Sequence, residues 1–484
     1  MSVRLFGPDV DYEGDVTQPG YDWSGGSFVT DGSAAIQAKT NGATTLAFTR
    51  SFNPLLALTV VLGLVVRIAF VTLVTFPRLA GDAMFFRLTA TNLADGKGYS
   101  APFLTNPHEL VPTATHPPLF PALLAVFDLL GLHSVDVQRL ALACVTSSSV
   151  LVMGLLGRKV AGPIVGIIAA VIAALNPLWL NLVGSLMSES IYLIVIALML
   201  LLALRCLERP TLGRFAILGV VIALATLTRS EAIDFVVILG LPLLIFASVP
   251  WKMRSLLGLA FMAGLILLLG PWLIRNEVQV GGAVLSTQEG ATFAGSYCSN
   301  TYDPANPHYG AFSGLCANGG AGYLIKHARP PDAKTGWTEI TLDRALTNVG
   351  ETYARNHLDQ LPGVVLAREA STWGLGNHSN ELDVAFHEGR NRTIEQLSWI
   401  LYWIFVPFVL VGAVVLAKTS WRRLVIMALP IVVVAINVAI TYGSTRFRVA
   451  AEPSLVVLGA VGIAAVAGRV RLWIIRLPTT ATPE

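Results

Sequence analysis

Of 484 residues, 54% are hydrophobic and only 13% are charged, with a mean hydropathy of +0.65, whereas an ordinary soluble domain is about 25% charged. This excludes a chain that is soluble as a whole and predicts an all-α polytopic membrane protein. The net charge of +3 comes with basic residues set singly or in pairs between apolar runs, which gives no reason to expect a nucleic-acid partner.

Residues 1–50 are polar, carry Asp9, Asp11, Glu13, Asp15, Asp22 and Asp31, and lack an apolar core. They read as a cytoplasmic tail, partly disordered, rather than a signal peptide. Ten apolar runs follow, expected as spans near 53–76, 137–157, 160–180, 187–204, 215–229, 233–250, 255–274, 397–417, 424–441 and 453–468, since a span needs about 20 apolar residues. The run from Pro118 to Leu130 is shorter and opens with prolines, so it is expected as a helix at the membrane interface. With the N-terminus in the cytoplasm, Arg158, Lys159, Arg205, Arg209, Arg214, Lys252, Arg254, Lys418, Arg422 and Arg423 fall in short inner loops. Only Arg229, Arg446 and Arg448 fall in short outer ones, as the positive-inside rule requires.

That orientation places two long connections outside: 79–118, and 276–396, the latter long enough for a small extracytoplasmic folded unit. The expected domains are thus the 1–50 tail, a 51–275 catalytic membrane module, the 276–396 outer unit, and the 397–484 C-terminal spans with a short tail. Within the outer unit, Ser299 to Pro304 reads as irregular loop and Trp337 to Leu366 as helical. Cys298 and Cys316 lie there, where an oxidising compartment permits a disulfide, the alternative being two free thiols.

The polar residues beside the apolar runs carry the functional signal. Asp82 follows the first span, with Phe85 and Phe86 beside it; a carboxylate so placed serves as proton acceptor for a hydroxyl nucleophile with aromatics against a sugar ring, or else as a helix N-cap. Glu109 and His116 close the same loop, His116 either orienting a phosphate or bonding backbone. Glu189, Arg229 and the pair Arg446 and Arg448 sit at outer ends of spans, where guanidiniums match phosphate oxygens. Arg275, beside Trp272, is either a snorkelling partner or part of that phosphate shell. Asp82, Glu109, Glu189 and His116 are also the available ligands for a divalent ion.

The ordered set Gly81-Asp82 through Phe86, Asp95-Gly96-Lys97-Gly98-Tyr99, His116-Pro117-Pro118-Leu119, Leu186-Met187-Ser188-Glu189, Leu227-Thr228-Arg229-Ser230-Glu231, Pro271-Trp272-Leu273-Ile274-Arg275-Asn276 and Arg446-Phe447-Arg448 with Glu452-Pro453 resembles the polytopic glycosyltransferases of the C superfamily (GT-C). The resemblance is to the bacterial group related to protein O-mannosyltransferases and the lipid A aminoarabinose transferase, the family 39-like enzymes. It implies a GT-C_A-like transmembrane bundle with an extracytoplasmic loop domain, in a bacterial inner membrane with its site toward the periplasm. It implies an inverting transfer of a hexose or pentose from a polyprenyl-phosphate donor to an envelope glycan, lipid or protein. By the same resemblance, Asp82 is the catalytic residue, as base or as the group that orients the acceptor, the residues at the outer helix ends shape the donor phosphate and sugar sites, and a divalent ion, Mg or Mn, takes part in some members. Two departures are Phe85 and Phe86 where tyrosines are common, and Arg229-Ser230-Glu231 where Arg-Pro-Glu is frequent. The competing class is a secondary transporter or lipid-linked substrate flippase, which would place its ionisable groups near the membrane midplane rather than at one face.

Overall fold

The structure, a computed structural model, describes residues 32–103, 110–327, 336–376 and 378–476, with side chains from 51 to 469. Glu109 and residues 1–31 of the expected tail lie outside these. The chain divides into two compact units, Met1–Thr49 and Arg50–Glu484, and the site described below lies in the second.

All regular structure among the described residues is helical. Helix α1 (Gly32–Leu73) leads to α2 (Gly81–Ala94), α3 (Leu119–Leu129), α4 (Val135–Thr146), α5 (Ser148–Ala161), α6 (Pro163–Leu175), α7 (Pro177–Gly184), α8 (Glu189–Glu208) and α9 (Leu212–Thr228). A 3-10 turn at Ser230–Asp234 precedes the short α10 (Phe235–Ile238) and α11 (Gly240–Phe246), then α12 (Trp251–Gln279). Next come six helices: α13 (Glu289–Ser296), α14 (Ser299–Tyr302), α15 (Gly314–His327), α16 (Glu339–Asn356), α17 (Leu361–Thr372) and α18 (His378–His387). Helices α19 (Arg392–Thr419) and α20 (Trp421–Ile440), a 3-10 turn at Thr445–Ala450 and α21 (Glu452–Arg476) complete the chain.

Among the described residues, seven segments are long and apolar enough to cross a membrane: Ser51–Leu73, Val135–Ala161, Glu189–Glu208, Trp251–Gln279, Arg392–Thr419, Trp421–Ile440 and Glu452–Arg469. The pair α6 and α7, bent by 44°, makes an eighth. That bend has a local cause. Pro177 has no amide to donate, and the Asn176 side chain caps the second helix instead, accepting from Leu178 N at 3.0 Å. Two expected spans differ. The 215–229 run forms α9, whose 17 residues fall just short of the other segments, and 233–250 is not one helix: it breaks at Leu239, near which Pro242 has no amide to donate to the preceding turn, leaving the fragments α10 and α11. Helix α3 is short, as its 11 residues require.

Close helix approach uses glycine. A Cβ at Gly412 of α19 would collide with the Leu458 carbonyl of α21, and one at Gly462 with the Phe408 carbonyl. Small residues of this kind let membrane helices pack at backbone distance, where dispersion and not the hydrophobic effect holds them. Between α12 and α19 the described residues alternate short helices with irregular segments, and within the Ser299 to Pro304 stretch expected to be irregular Ser299 to Tyr302 forms a helical turn. Cys298 and Cys316 are joined in a disulfide, with Cα atoms 6.5 Å apart.

Candidate functional site

Asp82 enters the site through the first turn of α2. Gly81 has φ +52°, a left-handed conformation that glycine adopts without steric penalty, and the N-cap is Ala80, with no side-chain cap. The Asp82 carboxylate is therefore not spent on the helix's own amides, and the capping alternative does not hold. Its Oδ2 accepts from Arg446 Nη2 at 2.7 Å, its Oδ1 lies 3.5 Å from His116 Nε2, and its side chain is 28% exposed. Burial pushes the Asp82 carboxyl up, but Arg446 and His116 outweigh it and hold the group well below the usual carboxylate range.

Arg446 is the hub. It lies on the 3-10 turn Thr445–Ala450 and is almost fully buried. Besides Asp82 it donates to Glu388 Oε1 at 3.0 Å and, through Nε, to Glu189 Oε1. Glu189, fully buried at the start of α8, also accepts from Arg229, whose Nε donates to Glu231. Glu388 Oε2 in turn accepts from Arg390 at 2.8 Å, and Arg390 reaches Glu395 Oε1 at 2.8 Å. The network thus joins five carboxylates to three guanidiniums. Burial opposes the charge on Arg446, yet Glu189, Glu388 and Asp82 raise its pKa well above the ordinary arginine value.

The turn carrying Arg446 is fixed by the helices between α12 and α19. Glu381 Oε2 accepts from Thr445 N at 3.0 Å, Thr445 Oγ1 at 3.1 Å and Ser444 Oγ at 3.2 Å. Gly443 N donates to Gly310 O at 2.9 Å. Burial pushes the Glu381 carboxyl up, against these bonds.

Phe85 and Phe86 do not form an open sugar platform. Both are buried, and their rings lie edge-on to His116 at 4.8 and 5.1 Å between centroids, with Phe86 also against Phe120 at 5.3 Å. They set the orientation of the imidazole. Arg275 is not in the Asp82 network. Its donors go to Thr113 O and Tyr99 O, each at 2.6 Å, and its guanidinium lies over Trp272, so it ties the loop after α2 to α12.

Arg448, two residues past Arg446, serves a different space. Its Nε donates to Glu452 Oε1 at 2.9 Å, its guanidinium lies 3.7 Å from the Tyr402 ring centroid, and its buried Nη1 has no hydrogen-bond partner among the described residues. Arg448 and Glu452 stand, with Asn176 and Ser398, at the polar end of a mainly apolar groove of about 380 Å³ lined from α6, α7, α19 and α21 by side chains such as Ile172, Leu401, Phe405 and Val456.

A divalent ion does not fit the donors described. Glu189 is committed to Arg229, Arg446 and Ser188, Asp82 shares its oxygens between Arg446 and His116, and among the described residues no three His, Cys, Asp or Glu side chains are grouped to hold a metal. Sequence reading missed Glu388, Arg390, Glu381 and Glu395. Their one signal is a cluster of charges just before α19 and in its first turn.

Comparison with known proteins agrees with this architecture. A family model described as dolichyl-phosphate-mannose-protein mannosyltransferase matches residues 115–274, less than half of the chain. Among solved structures, the oligosaccharyltransferase AglB of Archaeoglobus fulgidus, in complex with an inhibitory peptide and a dolichol-phosphate, superposes with a TM-score of 0.51 at 15% identity, over 89% of this chain and 52% of that one. The apo form of the Archaeoglobus fulgidus oligosaccharyltransferase gives 0.49 at 14% identity, over 88% and 51%. ArnT of Cupriavidus metallidurans in the apo state gives 0.37 at 15% identity, over 88% and 81%. The chain therefore spans about half the length of the archaeal structures it matches. No curated protein sequence matches it. The fold is that of a GT-C transmembrane bundle, an all-α polytopic membrane protein.

Proposed function

We propose that the chain is a glycosyltransferase that moves a sugar from a polyprenyl-phosphate donor to a hydroxyl of an envelope glycan, lipid or protein, on the periplasmic side of a bacterial inner membrane. The observation that carries this reading is the 3-10 turn Thr445–Ala450. It presents Arg446 to Asp82 and, two residues on, Arg448 to the mouth of an apolar groove. An isoprenoid chain fits such a groove within the membrane-crossing helices, and the free Arg448 Nη1 offers a charge-assisted hydrogen bond to the phosphate at its end. The family model matched over 115–274 and the GT-C bundle support the same class.

In the proposed reaction the acceptor oxygen forms a bond to the anomeric carbon as the bond from that carbon to the phosphate oxygen breaks. The hydroxyl proton passes to Asp82, and polyprenyl phosphate leaves with the electron pair. One displacement inverts the anomeric centre. The excess of carboxylates over guanidiniums in the network suits the positive charge that grows on the sugar ring in an oxocarbenium-like transition state. Arg446 keeps Asp82 ionised in the absence of substrate but lowers its basicity. A phosphate that draws the guanidinium away returns Asp82 to the influence of burial, which raises its pKa.

The test is to reconstitute the protein in lipid with a panel of polyprenyl-phosphate sugars and an envelope extract, following release of polyprenyl phosphate and transfer of labelled sugar. Transfer by the wild type that is lost in Asp82→Asn is the expected result, with inverted anomeric configuration in the product. Equal activity in the variant removes Asp82 from the chemistry, and donor uptake into vesicles without transfer would favour a transporter.

A further inference from the structure

The end of the bundle away from Asp82 holds a second cavity, of about 520 Å³, lined by Arg158, Lys159, Arg205 and Arg423 with one carboxylate, Glu208. Helix α8 locates it relative to the first site. Its 20 residues run from Glu189 in the Asp82 network to Glu208 at this cavity, about 30 Å at 1.5 Å per residue, which is the thickness of a bilayer's hydrocarbon core. The two sites therefore stand at opposite membrane surfaces.

We propose that this cavity binds the headgroup of an anionic phospholipid from the leaflet opposite Asp82. Glu208 satisfies only part of the positive charge, pairing with Lys159 and lying 3.7 Å from Arg423. Arg158 lies over the Phe52 ring at 4.5 Å, and Arg423 Nη1 donates to Val160 O at 2.9 Å, so both are held in place. Arg205 makes no ion pair and no side-chain hydrogen bond among the described residues, so among them its guanidinium is uncommitted. One helical turn deeper, Leu155 of α5 and Leu201 of α8 also line the cavity. Phosphate oxygens thus meet cations at the rim, and the first acyl carbons meet apolar side chains below. Basic pockets between membrane helices recognise acidic lipids in this way. This inference does not depend on the proposed transfer reaction.

The experiment is native mass spectrometry of the full chain from nanodiscs of phosphatidylcholine mixed with phosphatidylglycerol, with thermal melting as a check on folding. Wild type is expected to retain phosphatidylglycerol selectively, Arg205→Gln to retain it about 5-fold less, and Arg209→Gln, outside the cavity lining, to behave as wild type. Inorganic phosphate is expected not to displace the lipid. Equal retention of the two lipids by wild type, undiminished retention in Arg205→Glu, equal loss in Arg209→Gln, or displacement by inorganic phosphate alone would each overturn the proposal.

Discussion

Arg446 Nη2 donates to Asp82 Oδ2 at 2.7 Å although the two residues are 364 positions apart. Through the same guanidinium Arg446 holds Glu189 and Glu388, so Asp82 is fixed to three separate parts of the chain by one side chain. Asp82→Asn keeps the shape but loses the carboxylate proposed as proton acceptor. Transfer is expected to fall by about 10²–10⁴-fold, the range for a general base. Arg446→Lys keeps a charge but not the planar fork that reaches three carboxylates, so a loss of comparable size is expected, together with a lower melting temperature. Release of polyprenyl phosphate and thermal melting separate the two variants.

Arg448→Gln removes the cation at the groove mouth while leaving Arg446 and Asp82 in place. Its effect is expected mainly in KM for the donor, about tenfold upward, with kcat changed little. The difference should shrink for donors with short isoprenoid chains. Steady-state kinetics across chain lengths measures this, and a fall in kcat at unchanged KM would place Arg448 elsewhere in the reaction.

Asp343, on α16, accepts from Gly290 N at 2.6 Å. Burial pushes its carboxyl up to about 6, with Glu289 and Glu339 adding to the shift. A raised folded-state value means that folding favours the protonated form. The group's stabilising contribution is full below its unfolded value of about 3.9, is lost as pH rises through about 6, and is absent above that. Asp343→Asn mimics the protonated form and can keep the bond from Gly290. It is expected to raise the melting temperature at pH 8 and to match wild type at pH 4; a constant difference across that range would show that the charge is not the cause.

Much of this site was legible because a carboxylate or guanidinium at the end of an apolar run stands out against hydrocarbon. Asp82, Glu189, Arg229 and Arg446 were found that way, and the structure brings them together with His116. Glu388 and Arg390 were missed because they lie in a polar stretch where charges are ordinary. Arg67 was missed for the opposite reason, since one charge disappears in the average over an apolar helix. It is fully buried, donating to Ser149 Oγ at 3.1 Å and Ala173 O at 3.0 Å. Hydropathy also reads 233–250 as a span because it does not register the backbone break at Leu239 between α10 and α11. Arg275 reads from sequence either as a partner of Trp272 or as part of a phosphate shell, and only coordinates show it over Trp272 with its donors turned to backbone carbonyls. The GT-C bundle itself was readable from the order of apolar runs and motifs; which side chains converge was not.

Gly412→Leu is expected to destabilise the fold by about 1–3 kcal/mol, as overpacking does, because the added side chain meets the Leu458 backbone of α21 and not a flexible group. Helices α19 and α21 are also two walls of the apolar groove, so forcing them apart should weaken donor binding along with stability. Thermal melting in detergent and donor KM report the two effects.

The wide separation of Asp82 from Arg446 also bears on biosynthesis. At about 5–20 residues per second, a ribosome needs on the order of 20–70 s to travel from one to the other. Glu189 and Arg229 are made within that interval, but the guanidinium that anchors Asp82 is not. A nascent chain in the membrane that lacks Arg446 is thus unable to assemble this ion-pair network. The hub is therefore supplied only after the helices that carry Asp82, Glu189 and Arg229 have all been made.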